Sequence, residues 1–414
     1  MPSPTPSITA ADVPAIIADR CASRDEDRVG LELEWLTYPM DDPGRRLTRE
    51  VLEEALAGLA LPAGARVTLE PGGQVELSSA PSADLARLHE ALDVGRWAIA
   101  DALRRAGIGV LSVAHDPLRP PACLDLGPRY RAMASFLGRR SPAGPAMMAN
   151  TVSVQVNVDL GTGARARRRW HLAHLLGPVL TATFANSPFA AGRPSGWRST
   201  RMALWGRIDR SRCRPARRAG DPVGDWTAFA RSAQVMLVRC SPERFVGVEE
   251  PLTLDEWVSR GHALGYPDAD DVAYHLTTLF PPVRLRGWLE LRTIDALPDP
   301  WWRVASAVVT AALRDPVAGE SVRRACAATA GLEEVAARRG LDHPLLAEAS
   351  ARCLDATIAA LGRLNADGHT TEACLAYRDQ YVARRRTPAD SLLAAYAADG
   401  SVGVPEPAVL LGPA

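Results

Sequence analysis

The run Gly30-Leu31-Glu32-Leu33-Glu34-Trp35 sets two carboxylates two residues apart among apolar neighbours, and Val75-Glu76-Leu77 and Leu289-Glu290-Leu291 repeat the pattern. Alternate side chains of an extended strand share a face, so Glu32 and Glu34 point one way and Leu31, Leu33 and Trp35 the other. Alone, that pair fits a solvated strand face. Several strands that each carry an acid between apolar residues are harder to explain that way, and together they favour a shared metal site. Two carboxylates about 5 Å apart repel by roughly 3 kcal/mol at an effective dielectric of about 20. A walled cluster of four or five therefore needs cations, and hard divalent ions with oxygen ligands answer the need. Mg²⁺ in such places usually arrives with phosphates.

A chain of 414 residues, 47% of them hydrophobic, can bury a large core. No Gly/Ser linker or low-complexity tract divides it. The expectation is one domain over 1–414, with a motif-bearing core at about 28–300, a helical part at about 301–400 and flexible ends at 1–10 and 401–414. The formal net charge is zero, which gives no general pull toward nucleic acid or an anionic membrane. All 48 basic residues are arginine. This excludes a P-loop lysine, a Schiff-base lysine and a lysine base. Any anion held by a side-chain cation is held by the planar fork of Arg, which suits bidentate contacts. The seven cysteines are scattered without a CxxC and read as reduced thiols. The N-terminal residues have no secretory pattern, and no uncharged stretch reaches the roughly 18 residues of a membrane span. The expectation is a soluble, cytoplasmic protein without nucleic-acid or membrane partners.

Strands are expected at 29–37, 108–113, 151–159, 234–239 and 287–293, and a hairpin at 67–70 and 74–78 around Pro71-Gly72-Gly73. Thr48 is a plausible N-cap for a helix that buries Val51, Leu52, Ala55, Leu56 and Leu59. Apolar spacing gives further helices at 82–105, 171–185, 304–313, 348–364 and 371–385. Residues 116–148, rich in Pro, Gly and Met, read as loop and short helix, and 186–214 as loop-rich. Strands early and helices late describe an α+β protein with a mostly antiparallel sheet.

Other patterns carry less chemistry. His171 and His174 form an HxxH without a third nearby ligand, which favours packing over zinc. Arg165 to Arg169, interrupted only by Ala166, reads as a solvated loop and helix start. Arg198, Arg201 and Arg207 interleave with Trp197 and Trp205 and suit carboxylate or phosphate oxygens better than nucleic acid. Arg292 shares a strand face with Glu290 and would anchor a substrate carboxylate. No G-x-S-x-G elbow marks a nucleophile.

Four blocks carry a family likeness: residues 30–34; Val154-Gln155-Val156-Asn157 within 151–159; Phe184-Ala185-Asn186-Ser187-Pro188-Phe189 running on through Arg201 and Trp205; and His275-Leu276-Thr277-Thr278-Leu279-Phe280-Pro281 leading to Leu289-Glu290-Leu291-Arg292. On these the chain resembles the type 2 glutamate–cysteine ligases. The lysine-free, Ala/Arg-rich composition looks like an actinobacterial member, similar to those that supply γ-glutamylcysteine to ergothioneine synthesis. The resemblance implies a funnel-like, mostly antiparallel sheet related to the glutamine synthetase catalytic fold, with ATP and two or three Mg²⁺ inside. It implies that ATP phosphorylates the γ-carboxylate of L-glutamate and that the amine of L-cysteine attacks the acyl phosphate. By motif, Glu32, Glu34, Glu70, Glu76, Gln155 and Glu290 would be the metal-ligand set. Arg292 would bind a substrate carboxylate or transition-state charge, with Arg201 second in gripping substrate. Arg198 would clamp an anion, and Thr277 and Thr278 would contact nucleotide or phosphate. The rivals are a carboxylate–amine ligase for another amine, a divalent-metal hydrolase that turns over without ATP, and a non-catalytic metal- or amino-acid-binding protein.

Overall fold

A computed structural model describes residues 8–400 and 402, except 24, 125, 126, 217, 218 and 242. The expected flexible ends lie for the most part outside the described residues.

The sheet is built around one long strand, β1 (Val29–Pro39). The hairpin β2 (Arg66–Leu69) and β3 (Val75–Ser78), then β4 (Ile108–Leu111) and β5 (Ser153–Asp159), follow it in the chain. Two small hairpins come next, β6 (Phe189–Ala190) with β7 (Arg193–Pro194) and β8 (Leu237–Ser241) with β9 (Arg244–Gly247). The last strands, β10 (Val283–Leu285) and β11 (Trp288–Asp295), return to the main sheet. Its order is β10-β11-β5-β1-β3-β2, with β4 pairing the far half of β1, and every pairing is antiparallel.

The two faces of β1 separate as alternation requires. Leu31, Leu33 and Trp35 are buried in a core cluster that extends from Val13 to Val382. Helices cover that face: α2 (Arg49–Leu56), α3 (Leu85–Arg105), and farther along the chain α6 (Gly163–Thr183) and helix Trp301–Arg314, which packs on β5, while α1 (Val13–Arg20) packs on helix Ala269–Leu276. The opposite face carries the acids and is walled by α4 (Pro128–Arg140), α5 (Ala143–Asn150), α7 (Thr200–Trp205) and helix Ala269–Leu276.

The structure corrects several local expectations. Residues 116–148 are more helical than their Pro and Gly content suggests, because Met133, Phe136 and Leu137 provide the i, i+3, i+4 stripe that seats α4. The helix expected from 171 begins at Gly163, so the arginine run is helical. Arg169 is 1% exposed; it ion-pairs with Asp27 and donates to the carbonyl oxygens of Leu313 (2.9 Å) and Asp159 (2.7 Å). In α2, capped by Thr48, Leu52 is buried but Val51 faces solvent. All seven cysteines are unpaired, and no described helix is long and apolar enough to cross a membrane.

Candidate active site

The acidic strands meet on one face because their register aligns them. Glu34 sits opposite Glu76, Glu32 opposite Gln155, and Glu290 opposite both Asn157 and Arg284. Glu70 directly follows β2, where its N–H donates to the Gln74 carbonyl oxygen (2.9 Å). The turn beyond it is pressed against α5: a Cβ on Gly72 would lie 2.1 Å from the Ala149 carbonyl oxygen, so only glycine fits. This face floors a cavity of about 970 Å³, lined by Glu32, Glu34, Glu70, Glu76 and Gln155. Arg201, Arg292 and Thr277 also line it.

The floor carries more negative charge than its surroundings offset. Burial, Glu290 and Glu76 push the Glu32 carboxyl up to about 8. Burial and Glu70 bring Glu34 to about 7, and burial and Glu76 do the same to Glu70. Glu76 is also raised, by burial and Glu34. Hydrogen bonds hold the carboxylates in place. Glu34 accepts from the Ser153 N–H and the Gln155 amide, both at 2.8 Å, Glu32 from the Asn157 amide at 3.1 Å, and Glu76 from Ser78 at 2.8 Å.

Glu290 differs. It has no exposed surface, and its carboxylate lies between Arg284 (2.7 Å) and Arg292, with Arg286 at 3.7 Å. Burial alone would raise its pKa, but the three guanidinium groups hold it down to about 2. Arg292 also donates to the Gln155 side-chain oxygen at 2.6 Å, which links the ion pair to the floor.

Arg201 is buried, and its fork donates to the carbonyl oxygens of Arg292 (2.8 Å) and Ile294 (3.4 Å). It thereby braces the irregularity in β11 between Leu291 and Ile294, where Arg292 lies. Two expectations are corrected. Arg198 does not line the cavity; it pairs with Asp390 (2.5 Å) and Asp342 (3.3 Å) from the C-terminal part. Thr278 is buried beneath the wall, where its hydroxyl donates to the His275 carbonyl oxygen (2.8 Å). Thr277 lines the cavity, although its hydroxyl donates to the Tyr274 carbonyl oxygen (2.7 Å). His174 packs its ring on Trp170, with centroids 4.2 Å apart.

Sequence reasoning missed much of the cationic wall. Arg66, Arg129, Arg239, Arg284 and Arg286 all line the cavity, Arg66, Arg239 and Arg286 from exposed positions. Arg284 had a signal in the alternation Val283-Arg284-Leu285. Arg129 had none: its guanidinium lies 5.5 Å from the ring of adjacent Tyr130, and only the fold brings it within 5.7 Å of the Tyr274 ring.

The donor chemistry fits a hard cation: oxygen ligands, carboxylates that raise one another's pKa, and no thiolate or imidazole among the acids. Among the described residues, no group of three or more His, Cys, Asp or Glu side chains is arranged as the shell of one ion. The carboxylates of Glu32, Glu34 and Glu76 are instead turned toward the neighbouring hydrogen-bond donors named above.

The fold recurs in solved structures. The chain is similar to a glutamate–cysteine ligase from Francisella tularensis in complex with AMP, with TM-score 0.52 and 12% identity, covering 92% of this chain and 86% of that one. It is similar to a bifunctional glutathione synthetase from Pasteurella multocida, with TM-score 0.52 and 14% identity over 93% of this chain, and spans 51% of that protein's length. The chain belongs to glutamate–cysteine ligase family 2, whose model matches residues 28–407, and is accordingly an ATP-dependent ligase that forms γ-glutamylcysteine. It is 39% identical over 372 residues to glutamate–cysteine ligase EgtA of Mycolicibacterium smegmatis, covering 88% of this chain and 86% of that one. With the enzyme of the same name from Mycobacterium tuberculosis it shares 41% over 350 residues, covering 82% and 80%.

Proposed function

We propose that the 970 Å³ cavity carries out both halves of the ligation. In the first, the γ-phosphoryl group of ATP passes to the γ-carboxylate of L-glutamate. In the second, the amine of L-cysteine attacks the acyl carbon, the C–O bond to phosphate breaks, and phosphate leaves with the bonding electrons. Bringing a carboxylate to ATP joins two anions, so positioning and charge neutralisation are the catalytic work. The observation that carries this reading is the acidic floor, with carboxyls raised to about 7 and 8, enclosed by arginines.

Glu32, Glu34, Glu70, Glu76, Gln155 and Glu290 are the residues that would hold Mg²⁺. Glu290, already neutralised by arginines, would contribute the least of the six. Bound there, Mg²⁺ supplies charge neutralisation and orientation of the phosphates. The exposed arginines Arg66, Arg239 and Arg286 are suited to gripping phosphate or carboxylate oxygens, and Arg292 to facing the reacting carboxylate. Arg201 acts through Arg292 as a positioning residue. The likeness to the mycobacterial EgtA enzymes supports a place in ergothioneine biosynthesis, in the cytoplasm. One core reaching from Val13 to Val382 supports a single ligase domain.

The test is ADP release by the purified protein. Turnover should require glutamate, cysteine and ATP together and stop on chelation of divalent cations. Turnover with neither amino acid present, or undiminished by EDTA, would overturn the reading.

A further inference from the structure

β11 changes phase where it passes the cavity floor. Leu291 pairs with Val156 and Ile294 with Val154, so Arg292 and Thr293 together face the single residue Gln155. Arg292 turns to the polar side and meets Glu290 and Gln155; Ile294, two residues on, is buried in the core instead, and Asp295 takes up the polar side opposite Ser153. A bulge of this kind leaves one residue out of the ladder, bends the strand and re-aims the side chain beside it.

Asp295 ties that bulge to the rest of the fold. It is 1% exposed, and its carboxylate accepts from the Asn186 N–H (2.9 Å), the Ser187 hydroxyl (2.7 Å) and the Ser199 hydroxyl (2.8 Å). The Arg201 guanidinium lies 3.8 Å away. Both serines also accept from the first turn of α7, Ser187 from the Arg201 N–H (3.3 Å) and Ser199 from the Met202 N–H (3.1 Å). One carboxylate therefore orients the start of α7 and the Arg201 fork, which in turn grips the carbonyl oxygens of Arg292 and Ile294. Burial raises the Asp295 pKa, and Arg201 with the three donors acts against that rise.

Asn186, Ser187 and Ser199 do not line the cavity, so their part is this socket. A buried charge is costly unless it is paired and hydrogen-bonded, and apolar residues often replace such a pair without loss of stability. What a fully satisfied socket adds is a single register. Slipping β11 by one residue would offer it Ile294 or Ala296, neither of which can accept from the serines or answer Arg201.

The geometry points to Asp295 as a positioning residue of the ligation: it fixes the phase of β11 and, through Arg201, the place of the Arg292 guanidinium beside Gln155, without itself touching substrate. The inference rests on the ligase reading, in which Arg292 faces the reacting carboxylate of glutamate.

Steady-state ADP release tests it, because misplacing Arg292 weakens the grip on one substrate, whereas loss of folded protein lowers the rate and leaves every KM unchanged. Asp295→Asn keeps the shape and removes the charge that Arg201 answers. Ser187→Ala removes one donor and leaves the ion pair, so it decides the matter if the first variant fails to fold. The expected result for Asp295→Asn is a glutamate KM at least about tenfold higher, with the KM values for ATP and cysteine within about twofold of the parent. Ser187→Ala should raise the glutamate KM about threefold with the same selectivity. Combining Asp295→Asn with Arg201→Gln should be no worse, within about twofold, than the more severe single change, since the two residues act in one chain. A parental glutamate KM in the folded variants, KM values rising alike for all three substrates, or full multiplication of the two effects would overturn the positioning role. Absence of glutamate-dependent ADP release in the parent enzyme would instead overturn the ligase reading itself.

Discussion

Glu34 on β1 and Glu290 on β11, strands separated by β5, are carboxylates with opposite electrostatic fates. Glu34, lifted to about 7, is protonated more readily in the folded chain than in the unfolded one, where its pKa is near 4.5. Between those values the folded state binds more protons, so without ligand the Glu34 contribution to stability falls as pH rises through that interval. Glu34→Gln should therefore flatten the pH dependence of the melting temperature between about pH 5 and 8 and leave the unliganded protein at least as stable, while turnover drops at least about tenfold, or 1.4 kcal/mol of barrier. Near-normal turnover would remove Glu34 from the catalytic set. Glu290→Gln should behave differently, because it leaves Arg284 and Arg292 buried with too little counter-charge. We expect a loss of about 3–5 kcal/mol in a denaturant titration; a variant as stable as the parent would refute the ion-pair assignment. The strand acids were legible because a charged residue between two leucines or valines is conspicuous at period two. Arg198 was misread because interleaved Arg and Trp look the same in sequence whether the guanidinium meets a ligand or, as here, Asp390.

At the level of elements, β1 and β5 were recognisable from alternation alone, whereas α4 was obscured by the prolines and glycines of the 116–148 segment around it. The irregularity in β11 carries no local sequence signal, since it depends on Arg201 donating to two β11 carbonyl oxygens from a helix about ninety residues away. His89 illustrates the same dependence on distant partners. On α3, it bonds Thr370 (2.8 Å) and Ser306 (3.0 Å), joining three helices, and burial with nearby Arg303 lowers its pKa to about 3. Its folded state is neutral, so the unfolded chain takes up the proton first as pH falls below 6.5. Relative to His89→Gln, the parent should lose about 2 kcal/mol between pH 7 and 5, read from urea midpoints at the two pH values. A constant difference across that range would show that the imidazole is not held neutral.

Over the whole molecule, exposed arginines near the cavity mouth and acids on its floor put charge of both signs in one cavity, which we propose nucleotide and divalent cation neutralise together. MgATP at about 100 times its dissociation constant should add about 2.7 kcal/mol of stability. ATP with EDTA should add much less, and equal thermal shifts in the two conditions would separate nucleotide binding from the acidic floor. The order of strands in the main sheet has a further consequence. β1 is its central member, yet β5 lies more than a hundred residues downstream, and β11 as far again. At a ribosomal pace of about 5–20 residues per second, roughly 15–50 s separate the emergence of Val29 from that of Asp295. During that interval the nascent chain displays unpaired strand edges, so its biogenesis should depend on chaperones more than its finished stability suggests.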